Sequence, residues 1–243
     1  MKRLFLSTPL TDVLHITGKE AHHLHVLRLE RGKQLAVTGV DGATGMAEVQ
    51  DYGEGFVRLR LLSRAEGDIS EASLRIHLYM ALLKGEKMDW VVQKATELGV
   101  TSIHPVMTQN VIVHYDARKA QARREKWQKI VRAAAEQCGR PQEPQVYPVQ
   151  DLLTVRPQGT ALFFYEAEHA HGLKEILSTT VAQDFSLLIG PEGGFTKQEA
   201  TEIVTRGFQT VSLGARILRA ETAALAALAI VQYERGDVLP CQA

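Results

Sequence analysis

The segment "LLIGPEGGFTKQEA" (residues 187–200) joins a short apolar run to a glycine-rich turn and then to a helix start. A fully apolar run bounded by polar turns is typical of a central strand in a parallel sheet. Thr196 and Glu199 have the spacing of a capping box, which predicts that a helix begins there, and Gly207 is placed to end it. This strand, turn and helix indicate an α/β fold with a ligand site at the turn.

The same alternation of strand and helix signals continues from Leu74 onward. Strands are predicted at "RIHLYMALL", "SIHPVM", "ALFFY", "FSLLIG" and "FQTVSLG". The segment "KMDWVVQKATELG" is predicted to be a helix that buries Met88, Val91, Val92, Ala95 and Leu98 and ends at Gly99. Further helices are predicted over roughly 118–138 and over "TAALAALAIVQYERG", with Trp90 and Trp127 in the core. The pattern predicts an α/β domain with a mainly parallel sheet.

The first part of the chain has a different pattern. Short strands are predicted at "RLFL", "QLAVTGV", "GMAEVQDY" and "FVRLRLLS", with close turn signals between them. One short helix is predicted in "GKEAHHLHVLR", where Ala21, Leu24 and Leu27 or Arg28 recur at helical spacing. Small β-barrels of this kind are frequent RNA-binding modules. We therefore predict an RNA-binding domain over 1–71 and a second domain over 72–243.

Composition narrows the class of protein. The chain has 243 residues, a formal net charge of zero and two cysteines. Two distant cysteines do not make a disulfide framework or a four-ligand zinc site, so a reducing cytoplasm is expected. The pattern predicts neither a signal peptide nor a membrane span. His22 and His25 have a spacing that can ligate a metal, but no third ligand is apparent, and no metal is predicted.

Charge is unevenly distributed despite the zero total. Residues 115–140 carry eight Lys or Arg against three Asp or Glu. This stretch is either a solvated helix face or a patch that contacts phosphates.

Two loops follow predicted strands where ligands bind in open α/β sheets: "GPEGGF" and "GARILRAET". The first lacks the Lys-Ser/Thr of a phosphate-binding loop, and Glu192 would repel a pyrophosphate. A neutral or cationic ligand held by main-chain groups is favoured, because glycines permit close approach. S-adenosylmethionine meets this description, although the residues alone do not select it. Glu192 is expected to brace its loop by accepting N–H groups rather than to contact a sulfonium.

The pair "LLIGPEGGFTKQEA" and "LGARILRAETAALAAL" resembles the signature of the SPOUT methyltransferases, specifically the RsmE family, which methylates N3 of a uridine in 16S rRNA. The segments "KGEKMDWVVQKATELGV", "KWQKIVRAAAEQCGR" and "AHHLHVLR" are also similar to that family. The resemblance implies a trefoil-knotted α/β domain, an N-terminal PUA-like barrel and a homodimer. It implies S-adenosylmethionine as cofactor, with S-adenosylhomocysteine as product, and an assembled small ribosomal subunit as substrate.

The resemblance also implies a cofactor pocket. Main-chain groups around Leu213, Gly214, Ile217 and Leu218 would hold the adenine, with glycines walling the other side. The implied cofactor-binding residues are Leu162, Tyr165, Glu166, Ile189, Gly190, Pro191, Glu192, Gly193, Gly194, Leu213, Gly214, Ile217, Leu218, Arg219, Thr222 and Ala223.

Methyl transfer to uridine N3 needs positioning rather than a covalent enzyme nucleophile. The N3 proton must leave as charge spreads onto O2 and O4, so a nearby cation or base should help. Arg219 and Arg216 are the candidate cations and Glu221 the candidate base, while Arg3 could reach across a dimer. The alternative is a structural ion pair of Arg219 with Glu221 or Glu192.

RNA contacts are implied for two regions of the chain. The candidate RNA-binding residues are Arg3, His22, His23, Arg28, Arg31, Lys33, Arg123 and Arg124. Two other functions stay open beside the N3-methyltransferase: a SPOUT enzyme that methylates a ribose 2′-hydroxyl, and a ribosome-assembly factor that binds RNA without methyl transfer.

Overall fold

The computed structural model describes residues 3–26, 29–64, 74–111 and 115–236, which form two compact units. Unit 1 comprises residues 1–71 together with 135–143, and unit 2 comprises 72–134 together with 144–243. The segment 135–143, which the sequence pattern assigned to the second domain, therefore belongs to unit 1.

Unit 1 contains a five-stranded sheet and a helix. The strands are β1 (Arg3–Phe5), β2 (Val13–Thr17), β3 (Gln34–Thr38), β4 (Thr44–Gly53) and β5 (Phe56–Arg64), and the helix is α1 (Gly18–Val26). The sheet order is β1-β3-β4-β5-β2, in which only β1 and β3 pair in parallel. The sequence pattern missed β2, in which only Leu14 and Ile16 face inward.

The core of unit 1 follows from the alternation of its strands. Inward residues such as Val37, Val57 and Leu59 are fully buried, and α1 covers them with Ala21 and Leu24. The predicted inward face of α1 is thus confirmed at these two residues. The other two positions considered for that face, 27 and 28, lie outside the described residues.

Unit 2 contains a seven-stranded sheet in which every pairing is parallel, as predicted. Its strands are β6 (Arg75–Ala81), β7 (Ser102–Met107), β8 (Gln145–Val146), β9 (Gln150–Asp151), β10 (Thr160–Phe164), β11 (Asp184–Ile189) and β12 (Gln209–Val211). Its helices are α2 (Lys87–Glu97), α3 (Ala117–Cys138, whose last residues belong to unit 1), α4 (Leu173–Thr179), α5 (Lys197–Thr205) and α6 (Ala220–Arg235), with a 3₁₀ turn at Leu152–Thr154. The order is β12-β10-β11-β6-β7-β8, with β9 also paired to β7. The sequence pattern did not predict β8, β9 or α4.

Local signals explain the helix ends. Thr196 accepts a hydrogen bond from the main-chain N–H of Glu199, whose side chain accepts one from the N–H of Thr196, so the predicted capping box is present. Helix α2 stops before Gly99, whose φ of +82° is the left-handed conformation that a helix C-terminus requires.

The two tryptophans differ in their surroundings. Trp127 is fully buried, and its indole N–H donates to Asp89 Oδ1 at 2.9 Å. Trp90 is 44% exposed, so the prediction of a core position was wrong. It precedes Val91 by one position and follows Met88 by two, which places it off the face that α2 buries. None of the helices in the described ranges has the length and apolar character needed to cross a bilayer.

A buried chain of polar side chains crosses β6 and β7. Ser102 Oγ lies 2.7 Å from His77 Nδ1 and 2.8 Å from His104 Nε2. The His104 ring is stacked between the rings of Tyr79 and Tyr147, with centroid distances of 4.4 and 4.2 Å. Burial, and to a lesser degree the neighbouring His77, lowers the pKa of His104 from 6.5 to about 4. Burial also lowers the pKa of His77.

We expect the free energy of unfolding to fall as the pH is lowered from about 6.5 to about 4, because the unfolded chain binds a proton on His104 that the folded protein excludes. The two pKa values correspond to a loss of roughly 3 kcal/mol from this group. Urea unfolding between about pH 7.5 and pH 4.5 measures it, and His104→Gln should show a shallower loss. An equally steep loss in the variant would contradict the assignment.

Candidate functional site

A cavity of about 730 Å³ opens in unit 2 where β10, β11 and β12 end and where α2 and α6 begin. Ligands bind at this edge of open parallel sheets, and the volume suits a nucleoside-sized molecule. Most of the residues implied for cofactor binding line it: Tyr165, Glu166, Ile189, Gly190, Pro191, Glu192, Gly193, Gly194, Leu213, Gly214, Ile217, Leu218, Arg219 and Ala223. The structure thus brings two loops, far apart in sequence, to one site.

Two implied residues do not line the cavity. Leu162 is fully buried within β10, in the core beneath the site, and Thr222 is exposed on α6. The lining also includes residues that were not named individually from the sequence, of which Ala215 and Ala220 lie in the predicted loop "GARILRAET": Lys87, Phe164, His169, Val211, Ser212, Ala215 and Ala220. For Lys87 a signal was available, because it lies in "KGEKMDW" just after a predicted strand.

The glycine turn 190–194 is tightly enclosed by protein atoms. A Cβ on Gly190 would lie 2.6 Å from the Phe195 ring, and one on Gly194 would lie 2.4 Å from Glu166 Oε1. Gly194 also has a φ of +67°, which disfavours residues with a side chain. Asn110 Nδ2 donates to the carbonyl oxygens of Gly193 and Gly194, each at 3.2 Å. The glycines therefore allow the turn to pack against its own neighbours, as well as to approach the cavity.

The second loop, residues 213–219, also lines the cavity. In the described part of the chain, the main-chain N–H groups of residues 215–219 donate no hydrogen bond to a protein acceptor. Polar main-chain groups beside a cavity need partners, and a ligand with acceptor atoms can provide them. Ile217 extends from this loop and is 87% exposed.

Lys87, which lines the cavity, joins Glu192 of the lining to Glu221, which is not among the lining residues. Its Nζ lies 2.9 Å from Glu192 Oε1 and 3.6 Å from Glu221 Oε2. The main-chain N–H of Lys84 also lies 3.4 Å from Glu192 Oε1. Burial opposes ionisation of Glu192, but these hydrogen bonds, that of Lys87 foremost, leave its pKa below the ordinary value. Glu192 thus ties its loop mainly to the Lys87 side chain of α2, rather than to main-chain N–H groups as the sequence predicted.

The alternative ion pair of Arg219 with Glu221 or Glu192 does not form in the described part of the chain, where Lys87 pairs with both carboxylates. Arg219 precedes the first residue of α6 and is exposed, and Arg216 is exposed on the loop before it. Both line the cavity, and neither forms an ion pair within the described residues. Their guanidinium groups are therefore available to a ligand.

Glu168 organises the segment that follows β10. Its carboxylate accepts hydrogen bonds from Thr210 Oγ1 at 2.5 Å and from the N–H groups of Ala170 and His171 at 2.7 and 3.1 Å. The bond from Thr210 and those from the main chain lower the pKa of Glu168 to about 2. This carboxylate fixes the turn that carries His169 to the cavity wall.

Arg3 does not lie at a site in the described structure. It is 7% exposed within unit 1, where its Nε donates to the carbonyl of Gly139 at 3.2 Å and its Nη1 donates to Thr38 Oγ1 at 2.9 Å. The first bond ties β1 to the segment 135–143, and the second ties it to β3. The structure therefore gives Arg3 a role in holding unit 1 together, which does not support the catalytic and RNA-binding roles implied for it.

The other candidate RNA-binding residues differ in their exposure and in the contacts that they already make within the protein. Arg124 donates to the carbonyl of Val146 at 2.9 Å, and the Arg123 guanidinium lies 5.9 Å from the centre of the Tyr115 ring. In unit 1, His22 and Lys33 are exposed, His23 lies 3.8 Å from Glu136, and Arg28 lies outside the described residues.

Arg31 pairs with Asp51 and lies on a shallow depression of about 320 Å³ in unit 1. Arg58 and Arg60, which the sequence pattern did not single out, line the same depression. The His25 ring lies 5.0 Å from the Tyr52 ring. Across the described ranges, no three His, Cys, Asp or Glu side chains come together as a metal would require.

The fold and the cavity define a class of protein. Residues 70–232 match the model of the RNA methyltransferase domain family. The fold is also that of a solved putative methyltransferase from Legionella pneumophila in complex with the cofactor S-adenosylmethionine, which is 32% identical, with a TM-score of 0.85 and coverage of 97% of this chain and 98% of that chain.

More specific similarity comes from relatives matched over nearly their full length. The ribosomal RNA small subunit methyltransferase E of Bacillus subtilis is 34% identical over 91% of this chain and 92% of its own. The structure of the protein of that name from Neisseria gonorrhoeae, bound to S-adenosylmethionine, has a TM-score of 0.86 at 34% identity and covers 98% of this chain and all of that one. This chain belongs to the ribosomal RNA small subunit methyltransferase E family.

Proposed function

We propose that this protein transfers a methyl group from S-adenosylmethionine to N3 of a specific uridine in 16S rRNA of the small ribosomal subunit. The observation that carries the proposal is the cavity enclosed by the 190–194 turn and the 213–219 loop, in a chain of the rRNA methyltransferase family. Because the substrate is ribosomal, we place the protein in the cytoplasm.

The cavity has the properties that S-adenosylmethionine requires. The unpaired N–H groups of residues 215–219 can meet acceptor atoms of an adenine or ribose. Carboxylates of Glu166 and Glu192 line the same cavity and favour a cationic ligand over a pyrophosphate. The bound cofactor supplies a methyl group on an electron-deficient sulfonium.

The protein's own part in the reaction is to place the uridine and move its N3 proton. Arg219 and Arg216 lie at the cavity and can stabilise the charge that develops on O2 and O4. Glu221, in the first turn of α6, carries a buried Oε2 that makes no hydrogen bond in the described structure and lies 3.6 Å from Lys87 Nζ; it is the proposed proton acceptor. Arg3 is omitted from this group because unit 1 holds its side chain.

Two regions are proposed to contact RNA. In unit 1, Arg31, Arg58 and Arg60 share one depression, with the exposed His22 and Lys33 elsewhere on that unit. In unit 2, the exposed Arg118, Lys119 and Lys129 of α3 present cations on the basic stretch. Such contacts to phosphates position an RNA without reading its sequence.

We propose that the protein is a homodimer whose interface includes α2 and α6. These two helices pack together and expose Trp90, Ile230 and Tyr233, at 44%, 37% and 70% exposure. Apolar side chains clustered on one face mark an interaction surface. The trefoil knot in unit 2 and the PUA-like barrel in unit 1 are further expectations from the family resemblance.

The experiment for the reaction uses unmethylated 30S subunits and S-adenosylmethionine carrying a labelled methyl group. We expect label in 16S rRNA at a uridine where reverse transcriptase stops, because an N3 methyl blocks base pairing. Label that protects the adjacent phosphodiester from alkali would instead show ribose 2′-O-methylation. RNA binding without label would favour the assembly-factor function.

Gly194→Val should lower the affinity for S-adenosylmethionine at least about tenfold, because the side chain strains a left-handed residue and displaces Glu166 into the cavity. Isothermal titration calorimetry measures this. Gly207→Val is the matched control, since Gly207 has a φ of +93° but open space around its Cβ position and lies outside the cavity. Equal affinities in the two variants would remove Gly194 from the cofactor site.

Arg219→Ala should reduce turnover about 10- to 100-fold and leave the affinity for S-adenosylmethionine within about threefold of wild type, because its cation acts on the uridine. Exposed Arg206, at the end of α5 and away from the cavity, gives the control variant Arg206→Ala. If affinity and turnover fall together, Arg219 belongs to the cofactor pocket rather than to the acceptor site.

A further inference from the structure

We propose that Lys87 is a positioning residue of the methyl-transfer site. Its ammonium group links Glu192 of the glycine turn to Glu221 of α6 and holds Glu221 as the carboxylate that accepts the uridine N3 proton. This inference rests on the proposed function. It gives a role to the "KGEKMDW" segment, which the proposed function alone leaves without one.

Lys87 lines the cavity and contacts two other elements, through Glu192 of the cavity lining and through Glu221 beside it. It is the first residue of α2, whereas Glu192 follows β11 and Glu221 is in the first turn of α6. Its Nζ lies 2.9 Å from one carboxylate and 3.6 Å from the other. One flexible side chain thus connects the start of α2, the loop after β11 and helix α6.

Glu192 and Glu221 are largely shielded from water, so the contact of each carboxylate with Lys87 is weakly screened. The side chains of Glu192 and Glu221 are only 27% and 14% exposed, and the contacts to Lys87 bring their oxygens within about 6.5 Å of each other. Two carboxylates this close favour protonation of one of them unless a cation lies between them. Lys87 is that cation, and it places a positive charge beside both carboxylates.

Other charged groups face this cluster from around the cavity. Lys84 contributes a main-chain N–H to Glu192, while Arg216, Glu166 and His169 also line the cavity and Arg219 adjoins the start of α6. Arg219 makes no ion pair with either carboxylate in the described structure. Lys87 is therefore the cation in direct contact with both.

The proton transfer balances within the proposed reaction. The N3–H proton passes to Glu221, and the electron pair left on N3 forms the bond to the methyl carbon. The pair of the carbon–sulfur bond returns to sulfur, which leaves as a neutral thioether. Lys87 keeps its proton throughout and acts only through Glu221 and Glu192.

The test measures single-turnover methylation of unmethylated 30S subunits against pH for Lys87→Met and Lys87→Arg. We expect methylation by Lys87→Met to be about 100-fold slower near neutral pH. The acid limb of its pH–rate profile should lie about one pH unit or more higher than in wild type. Affinity for S-adenosylmethionine should stay within about threefold of wild type, and Lys87→Arg should restore most of the rate.

Lys94→Met is the matched control. Lys94 lies on the same helix, and its side chain has the same 36% exposure and pairs with Glu97 at 2.8 Å, away from the cavity. It should behave as wild type, and methylation of uridine N3 by wild type and Lys94→Met reports on the proposed function independently of Lys87.

Glu192→Gln provides a second test, in which the acid limb of the rate profile should move in the opposite direction. This test does not depend on the folding of a Lys87 variant. Removal of this competing carboxylate leaves Lys87 to Glu221 alone, so the acid limb should move to lower pH. An unmoved acid limb in both Lys87→Met and Glu192→Gln would overturn the proposal. So would a loss of rate in Lys87→Met that is matched by an equal loss of cofactor affinity.

Discussion

The 190–194 turn lies at the cavity because its glycines leave room for atoms of neighbouring residues. The Phe195 ring occupies the place of a Gly190 side chain, and Glu166 occupies that of Gly194. Asn110 then fixes the turn through two carbonyl oxygens. The shape of the ligand cavity therefore depends on close packing of these side chains against the main chain of the turn. The surface that lines the cavity is formed by this packing.

Ion pairs and hydrogen bonds of charged side chains also hold the loops of this region in place. Lys87 joins two carboxylates from different elements, and Glu168 draws Thr210 and two main-chain N–H groups into one turn. Partly buried hydrogen-bonded charges hold their partners in defined places, since breaking such a network leaves a charge without a partner. The loops around the cavity are thus held by carboxylates, whereas Arg216 and Arg219 form no ion pair with any residue that the structure describes and can meet a substrate.

Much of the fold could be predicted because the signals are local. The capping box of Thr196 and Glu199, the apolar strands of the parallel sheet and the helix end at Gly99 each depend on residues close in sequence. Errors arose where the local pattern was weak or ambiguous. Strand β2 buries only two side chains, and Trp90 lies just off the buried face of its helix, so its apolar character alone suggested the core.

The sequence by itself determined the class of fold, the two loops that meet at the cavity and the family resemblance that named a methyl donor. Tertiary structure decided how the charged residues are used. The Arg3 side chain, to which the resemblance assigned roles in RNA binding and catalysis, is held by Thr38 and Gly139. The carboxylates of Glu192 and Glu221, which were considered as partners of Arg219, pair with Lys87. The reason is physical: periodicity and capping report on neighbours along the chain, whereas an ion pair depends on which distant side chains the packed sheet and helices bring within a few ångströms.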